Sequence, residues 1–277
     1  MILKRHLICA AGVFLTVYAG CAAAEIPEKN LPSQNSNSFV DQRALDILKK
    51  MSNTITSAKT VSFRVKNVVP TKAPTGVWIN LYGDSRVVMQ APDKLFAETR
   101  GDFASRDFYY DGKNITMYSP DKNVYAVKPA PATIDEVIED AYKKEGRSFP
   151  YADILVSEPY SVLTDGLERA FYIGRSTLGD TKTEHLAFSN RGVEWQIWIG
   201  VENNLPILVS ATYLDEIGEP SYMAEFKDWK LNEPVGPGAF TFNNITNASQ
   251  IEFRSPGEAV SADIKIPESK QREGGYR

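Results

Sequence analysis

The sequence predicts a mainly β chain with some α, built on an antiparallel sheet. Three observations carry that class. Aromatic residues make up 11% of the 277 residues, including 13 Tyr and four Trp, and such rings suit pleated, half-buried surfaces. Most of the chain divides into short β-branched and aromatic runs separated by turn dipeptides such as Asp111-Gly112 and Pro120-Asp121. Only two longer segments show helical spacing of apolar residues.

The chain opens on a leader. Lys4 and Arg5 precede a short apolar run over 7–18, and small residues follow over 19–24. These are the three regions of a secretory signal, and the run is shorter than the roughly 20 residues that span a bilayer. Two cleavage sites are legible. Ala19-Gly20-Cys21 resembles the end of a bacterial lipobox, with Tyr18 where that motif usually has Leu, and Ala22-Ala23-Ala24 fits ordinary signal peptidase. Cleavage at Cys21 would lipidate it and tether the protein to a membrane. Cleavage after Ala24 would release it into the periplasm, where Cys21 is only a small residue of the leader. Cys9 and Cys21 are the only cysteines, so no disulfide framework is available to the body. A polar linker occupies 25–38.

A single domain is expected over 39–253. Ala44, Leu45, Leu48, Met51 and Ile55 recur at three- and four-residue steps, which predicts an amphipathic helix with Asp41 as its N-cap. A strand carrying Thr60, Val61, Phe63 and Val65 follows. Further strands are read over 75–82, 86–90, 95–100, 106–110, 115–118 and 124–127, with Gly83-Asp84 taken as a turn. Ile134, Val137, Ile138 and Ala141 mark a second helix whose other face carries Asp135, Glu136, Glu139 and Asp140. Short helical turns are expected over 151–167. Strands resume over 169–176, 184–189, 193–199, 206–214, 222–231 and 240–242, and the residues after 253 read as a disordered tail.

Two strands depart from simple alternation. Over 193–199, Trp195, Ile197 and Ile199 point one way and Trp198 the other; over 207–214, apolar residues again occupy both parities. Apolar side chains on both faces predict something packed inside a bent sheet and something covering its outside. A two-sheet sandwich satisfies the same pattern.

The segment over 108–126, Phe108-Tyr109-Tyr110-Asp111-Gly112-Lys113 through Tyr118-Ser119-Pro120-Asp121, resembles a hairpin pair of periplasmic lipoprotein-carrier-like proteins. Together with Arg100-Gly101-Asp102, Pro129-Ala130-Pro131, Trp195-Gln196-Ile197-Trp198-Ile199 and Ala239-Phe240-Thr241-Phe242, the chain over 41–253 resembles the predicted periplasmic family known as domain of unknown function 2092. The resemblance implies a half-barrel: a strongly curved antiparallel sheet closed by helices, as in lipoprotein carriers. It implies no catalytic residue and no cofactor, and a fold of this kind does not by itself establish carriage.

The chemistry agrees with a binding protein. Past the leader the only histidine is His185, too little for a transition-metal site or a general base with a partner. The acids over 135–140 read as the wet side of a helix rather than a paired-carboxylate site. Neither a nucleophile elbow nor a phosphate-binding loop is present. The formal net charge of −4, with both leader charges positive, leaves an acidic body unsuited to nucleic acid. The reading is a non-catalytic periplasmic binding protein for an apolar or amphipathic partner: a lipid, a lipidated protein or a hydrophobic peptide. Trp78, Phe108, Met117, Trp195 and Ile197 are the candidate cavity lining, although large aromatics on strands are more often plain core. An envelope interaction or sensor module without a cavity is the alternative, and a hydrolase would need a polar cleft.

Overall fold

The computed structural model describes residues 39–145, 151–236 and 238–253; the leader with Cys21, the linker over 25–38 and the tail lie outside them. Helix α1 (Gln42–Thr56) begins where the Asp41 carboxylate accepts the N–H of Arg43 at 2.9 Å, filling one of the donors that a helix start leaves orphaned. Its apolar stripe buries Ala44, Leu48, Met51 and Ile55.

From there the chain forms β1 (Thr60–Lys72), β2 (Trp78–Gln90), β3 (Lys94–Gly101), β4 (Arg106–Tyr110), β5 (Asn114–Ser119) and β6 (Val124–Pro129), each antiparallel to the last. It then leaves the sheet through α2 (Ile134–Glu145), a 3-10 turn at Ala152–Ile154 and α3 (Pro159–Leu163). It returns at the opposite edge as β7 (Leu167–Leu178), β8 (Thr181–Asn190), β9 (Val193–Gly200), β10 (Pro206–Tyr213) and β11 (Ser221–Leu231), the last of which pairs with β1. A two-residue strand, β12 (Ser249–Gln250), adds to β6 in parallel. The result is one long, curved, open sheet in the order β12-β6-β5-β4-β3-β2-β1-β11-β10-β9-β8-β7.

Parity decides the core. Val61, Phe63 and Val65 of β1, Val87 of β2, Phe108 and Tyr110 of β4, Leu186 of β8 and Ile197 of β9 face one side, where they join α1, Ile134 and Val137 of α2, and Ile154 in a single cluster. The edge strand β7 is guarded by a bridge from Val40 to Ala170 and by Phe39 stacked on Phe171 at 5.2 Å, which blunts an otherwise open row of backbone donors and acceptors. Among the described residues no helix is long and apolar enough to cross a membrane.

Two expectations need correction. Gly83-Asp84 is not a turn but the middle of β2, because β1 pairs along its whole length and sets Asn67 opposite Gly83 and Lys66 opposite Asp84. The stretch holding Phe240 and Phe242 is not a strand but part of a strap running from Asn232 to β12 across the sheet's outer face. There Phe242 packs against Tyr109, Tyr118 and Tyr125, with ring centroids 4.9 to 5.8 Å away.

Candidate functional site

The inner face carries most of the residues singled out as lining. Phe108 and Met117 sit directly opposite each other on β4 and β5; Phe108 is buried within the core cluster and Met117 is half-buried against it. Across the bend, Trp195 and Ile197 face inward from β9. Trp195 is locked in place: its ring stacks on Phe188 at 4.3 Å, and its indole N–H donates to Asn190 Oδ1 at 2.8 Å. Ile197 lies opposite Leu186 and Val209. The structure therefore brings Phe108 together with Met117, and Trp195 together with Ile197, as two apolar walls of one core. Trp78 does not join them: the unbroken register of β1 with β2 gives it the opposite parity to inward-facing Val87, and it lies half-buried at the start of β2, where its N–H donates to the Ile217 carbonyl at 3.1 Å. It joins the tips of the β1–β2 and β10–β11 hairpins, where Val77 and Ile217 are exposed.

Nearer those tips the inner face becomes polar. The hydroxyls of Ser85 and Thr99 lie 3.0 Å apart and both hydrogen-bond the Tyr151 phenol. Burial pushes Tyr151 above the usual phenol range despite these bonds. Tyr222 is pushed up further by burial, with Tyr151, Tyr213 and Asp153 adding to the effect. Asp153 itself is exposed, yet loss of water around it raises its carboxyl above the usual aspartate range.

Asn67 of β1 and Tyr222 of β11 belong to the same inner face. Both are buried, and neither Asn67 Oδ1 nor Tyr222 Oη has a hydrogen-bond partner. Sequence reasoning missed the pair. The available signal was parity: Asn67 continues the inward series Val61, Phe63, Val65, so a polar side chain occupies a position patterned for an apolar one.

The outer face holds a cleft of about 730 Å³ between the strap and strands β1 to β4. Val88, Phe96 and Tyr109 form its floor, with Arg64, Arg86 and Lys230 among its charged residues. Each cation is already engaged: Arg64 with Asp84 at 3.1 Å, Arg86 with Glu98 at 3.2 Å and Lys230 with Glu233 at 3.1 Å. The outer cover foreseen from the pattern of β9 and β10 thus lies over the other half of the sheet. On β9 itself, Trp198 stacks on His185 at 4.1 Å.

His185 also hydrogen-bonds Gln196 at 2.9 Å, and burial lowers its pKa against the opposing effect of that bond. It is a strand-surface residue held by its neighbours. Among the described residues, no group of His, Cys, Asp and Glu is placed to hold a metal ion.

A family model described as "Predicted periplasmic protein (DUF2092)" matches residues 44–254. No curated protein matches the chain in sequence. Among solved structures the chain is similar to the Mycobacterium tuberculosis lipoprotein LppX, at 14% identity and a TM-score of 0.45, covering 71% of this chain and 98% of that one. An uncharacterized conserved protein from Thermus thermophilus gives 12% identity and a TM-score of 0.45, with 76% and 100% covered. A LolA-superfamily protein from Nitrosomonas europaea gives 13% and 0.31, with 72% and 97% covered. At these identities and TM-scores no residue role transfers from them.

Proposed function

We propose, from the premise that this chain belongs to the DUF2092 family of predicted periplasmic proteins, that it is a non-catalytic binding protein for the apolar part of an amphipathic partner. The partner lies on the inner face of the bent sheet, with Phe108, Met117, Trp195 and Ile197 as apolar walls. The observation that carries the reading is the continuous apolar inner side of the curved sheet, to which Phe108 and Met117 contribute from one half and Trp195 and Ile197 from the other. An acyl chain entering it would gain roughly 25 cal/mol for each Å² of apolar surface removed from water, so neither a charged contact nor a reaction is required. The family's periplasmic description agrees with the leader read from the sequence.

Native mass spectrometry of protein purified from bacterial periplasm tests this. A lipid adduct released by organic extraction, and fluorescence enhancement of N-phenyl-1-naphthylamine on adding the stripped protein, are the expected results. Protein that carries no adduct and leaves the dye unchanged overturns the reading.

A second reading rests on the outer cleft of about 730 Å³. Its apolar floor and internally paired charges suit an extended segment of another envelope protein. Crosslinking in cells through a photoreactive residue at Val88 would yield a protein adduct under this reading and none under the first.

A further inference from the structure

We infer that the joined tips of the β1–β2 and β10–β11 hairpins are a docking surface for a lipid bilayer with zwitterionic head groups. This goes beyond the binding function proposed above and does not depend on it, since it concerns the end of the molecule and not the inner core. More than half of the large apolar side chains left exposed among the described residues gather here: Val77, Tyr82, Tyr213, Leu214, Ile217 and Met223. Val77 is 60% exposed, and Ile217 and Met223 are each 46% exposed. Clustered apolar exposure of this kind marks an interaction site. The two tips are held together, because the Trp78 indole N–H donates to the Ile217 carbonyl and a Cβ at Gly218 would meet Trp78 Nε1 at 2.6 Å.

The shape of the patch decides what covers it. On the outer face Tyr82 lies opposite Val68, and Val68 opposite Met223. Beyond the polar band of Ser85, Asn67 and Tyr222, the inner face of the same hairpin turns apolar again: Leu81 opposite Val69 and Ile79 opposite Thr71 are only half-buried. Val77 stands at the end, between the two faces. A protein seated on one face leaves the other in water, whereas a lipid interface surrounds an inserted tip on both sides. The rings suit that depth, since Trp and Tyr concentrate where head groups meet chains. Lys72, whose ammonium lies 5.4 Å from the centre of the Trp78 ring, reaches a phosphate along its apolar stem. The loop after β10 adds Asp215, Glu216 and Glu219, all exposed. These carboxylates attract the ammonium of an ethanolamine or choline head and repel an anionic one.

The chain beginning at Glu25 contains no cysteine, so one introduced thiol reports one position. With a nitrobenzoxadiazole label, Val77→Cys should brighten and shift to the blue on vesicles of dioleoylphosphatidylcholine. The same label at Ile173→Cys, exposed on the edge strand β7, should not respond. In co-flotation the unlabelled chain should bind these vesicles, and enriching them in dioleoylphosphatidylglycerol should weaken binding. Val77→Asp combined with Ile217→Asp should lower partitioning about tenfold or more. Its melting temperature and its affinity for N-phenyl-1-naphthylamine should match the wild type. The dock is overturned if the label at Val77 stays dark on vesicles, if phosphatidylglycerol strengthens binding, or if the double variant floats as the wild type does. A dark label on a chain that sediments as a dimer assigns the patch to a second copy and overturns it too. Insertion of the tip without dye binding leaves the dock standing and removes the ligand-binding function; dye binding without insertion removes the dock alone.

Discussion

Glu184 joins three elements through one carboxylate. It accepts the Tyr172 hydroxyl at 2.6 Å and Arg175 Nε at 3.0 Å, while Arg43 of α1 approaches to 3.9 Å and lies over the Tyr172 ring. Burial alone would raise its pKa, but the bonds from Tyr172 and Arg175 and the two guanidinium charges outweigh it and hold the group below the usual glutamate range. The unfolded chain then takes up this proton more readily than the folded one. The stabilisation is therefore present above the unfolded pKa and lost as the pH falls through the folded value. Glu184→Gln should cost about 1–2 kcal/mol at neutral pH, and the gap from wild type in urea melts should narrow on acidification to about pH 3. Asp153 has the opposite sign, since its folded pKa is raised. Its ionisation costs stability as the pH rises through the window above the ordinary aspartate value, so Asp153→Asn should melt higher than wild type at pH 7 and show little difference at about pH 4. With the side chain open to water, the gain should stay below about 1 kcal/mol.

Among the elements, β2 and the strap hold the instructive cases. Gly83→Val would place a branched side chain where Asn67 and Phe103 already stand, at a cost of about 1–3 kcal/mol by denaturant titration. The strap is pinned by Phe240, which is buried, and by Phe242 among three tyrosines. Phe240→Ala should cost about 3 kcal/mol and speed hydrogen exchange in β4 to β6 before β8 and β9. Much of this architecture was legible: the stripe of α1 and its Asp41 cap, the Asp111-Gly112 hairpin, where Gly112 takes φ +91°, and the return of strands after the helices. The continuous β2 was not, because Gly-Asp is a good turn signal locally and only pairing with a 13-residue β1 overrides it. Phe240 and Phe242 misled in the same way, since a covering segment must be as apolar as a strand. Of the inner face, the burial of Trp195 and Ile197 showed through their alternation. The polar pair did not, because a tyrosine on a strand looks ordinary until its hydroxyl is found without a partner.

At the scale of the molecule, the leader read from the sequence predicts that intact masses from the envelope and the soluble periplasm begin at Cys21 or Glu25, and a chain still carrying Met1 would contradict that reading. The edge strands β12 and β7 of the ladder are not paired with each other. A closed barrel has its bore fixed by strand number and shear. A ribbon with free margins has no such constraint: a small change of twist shared among its rows alters its girth without severing any hydrogen bond. Guests of different thickness should then be accepted along a gradual scale, so one-chain, branched-chain and two-chain lipids, compared by dye displacement, should all bind, where a fixed bore would shut out the thicker ones.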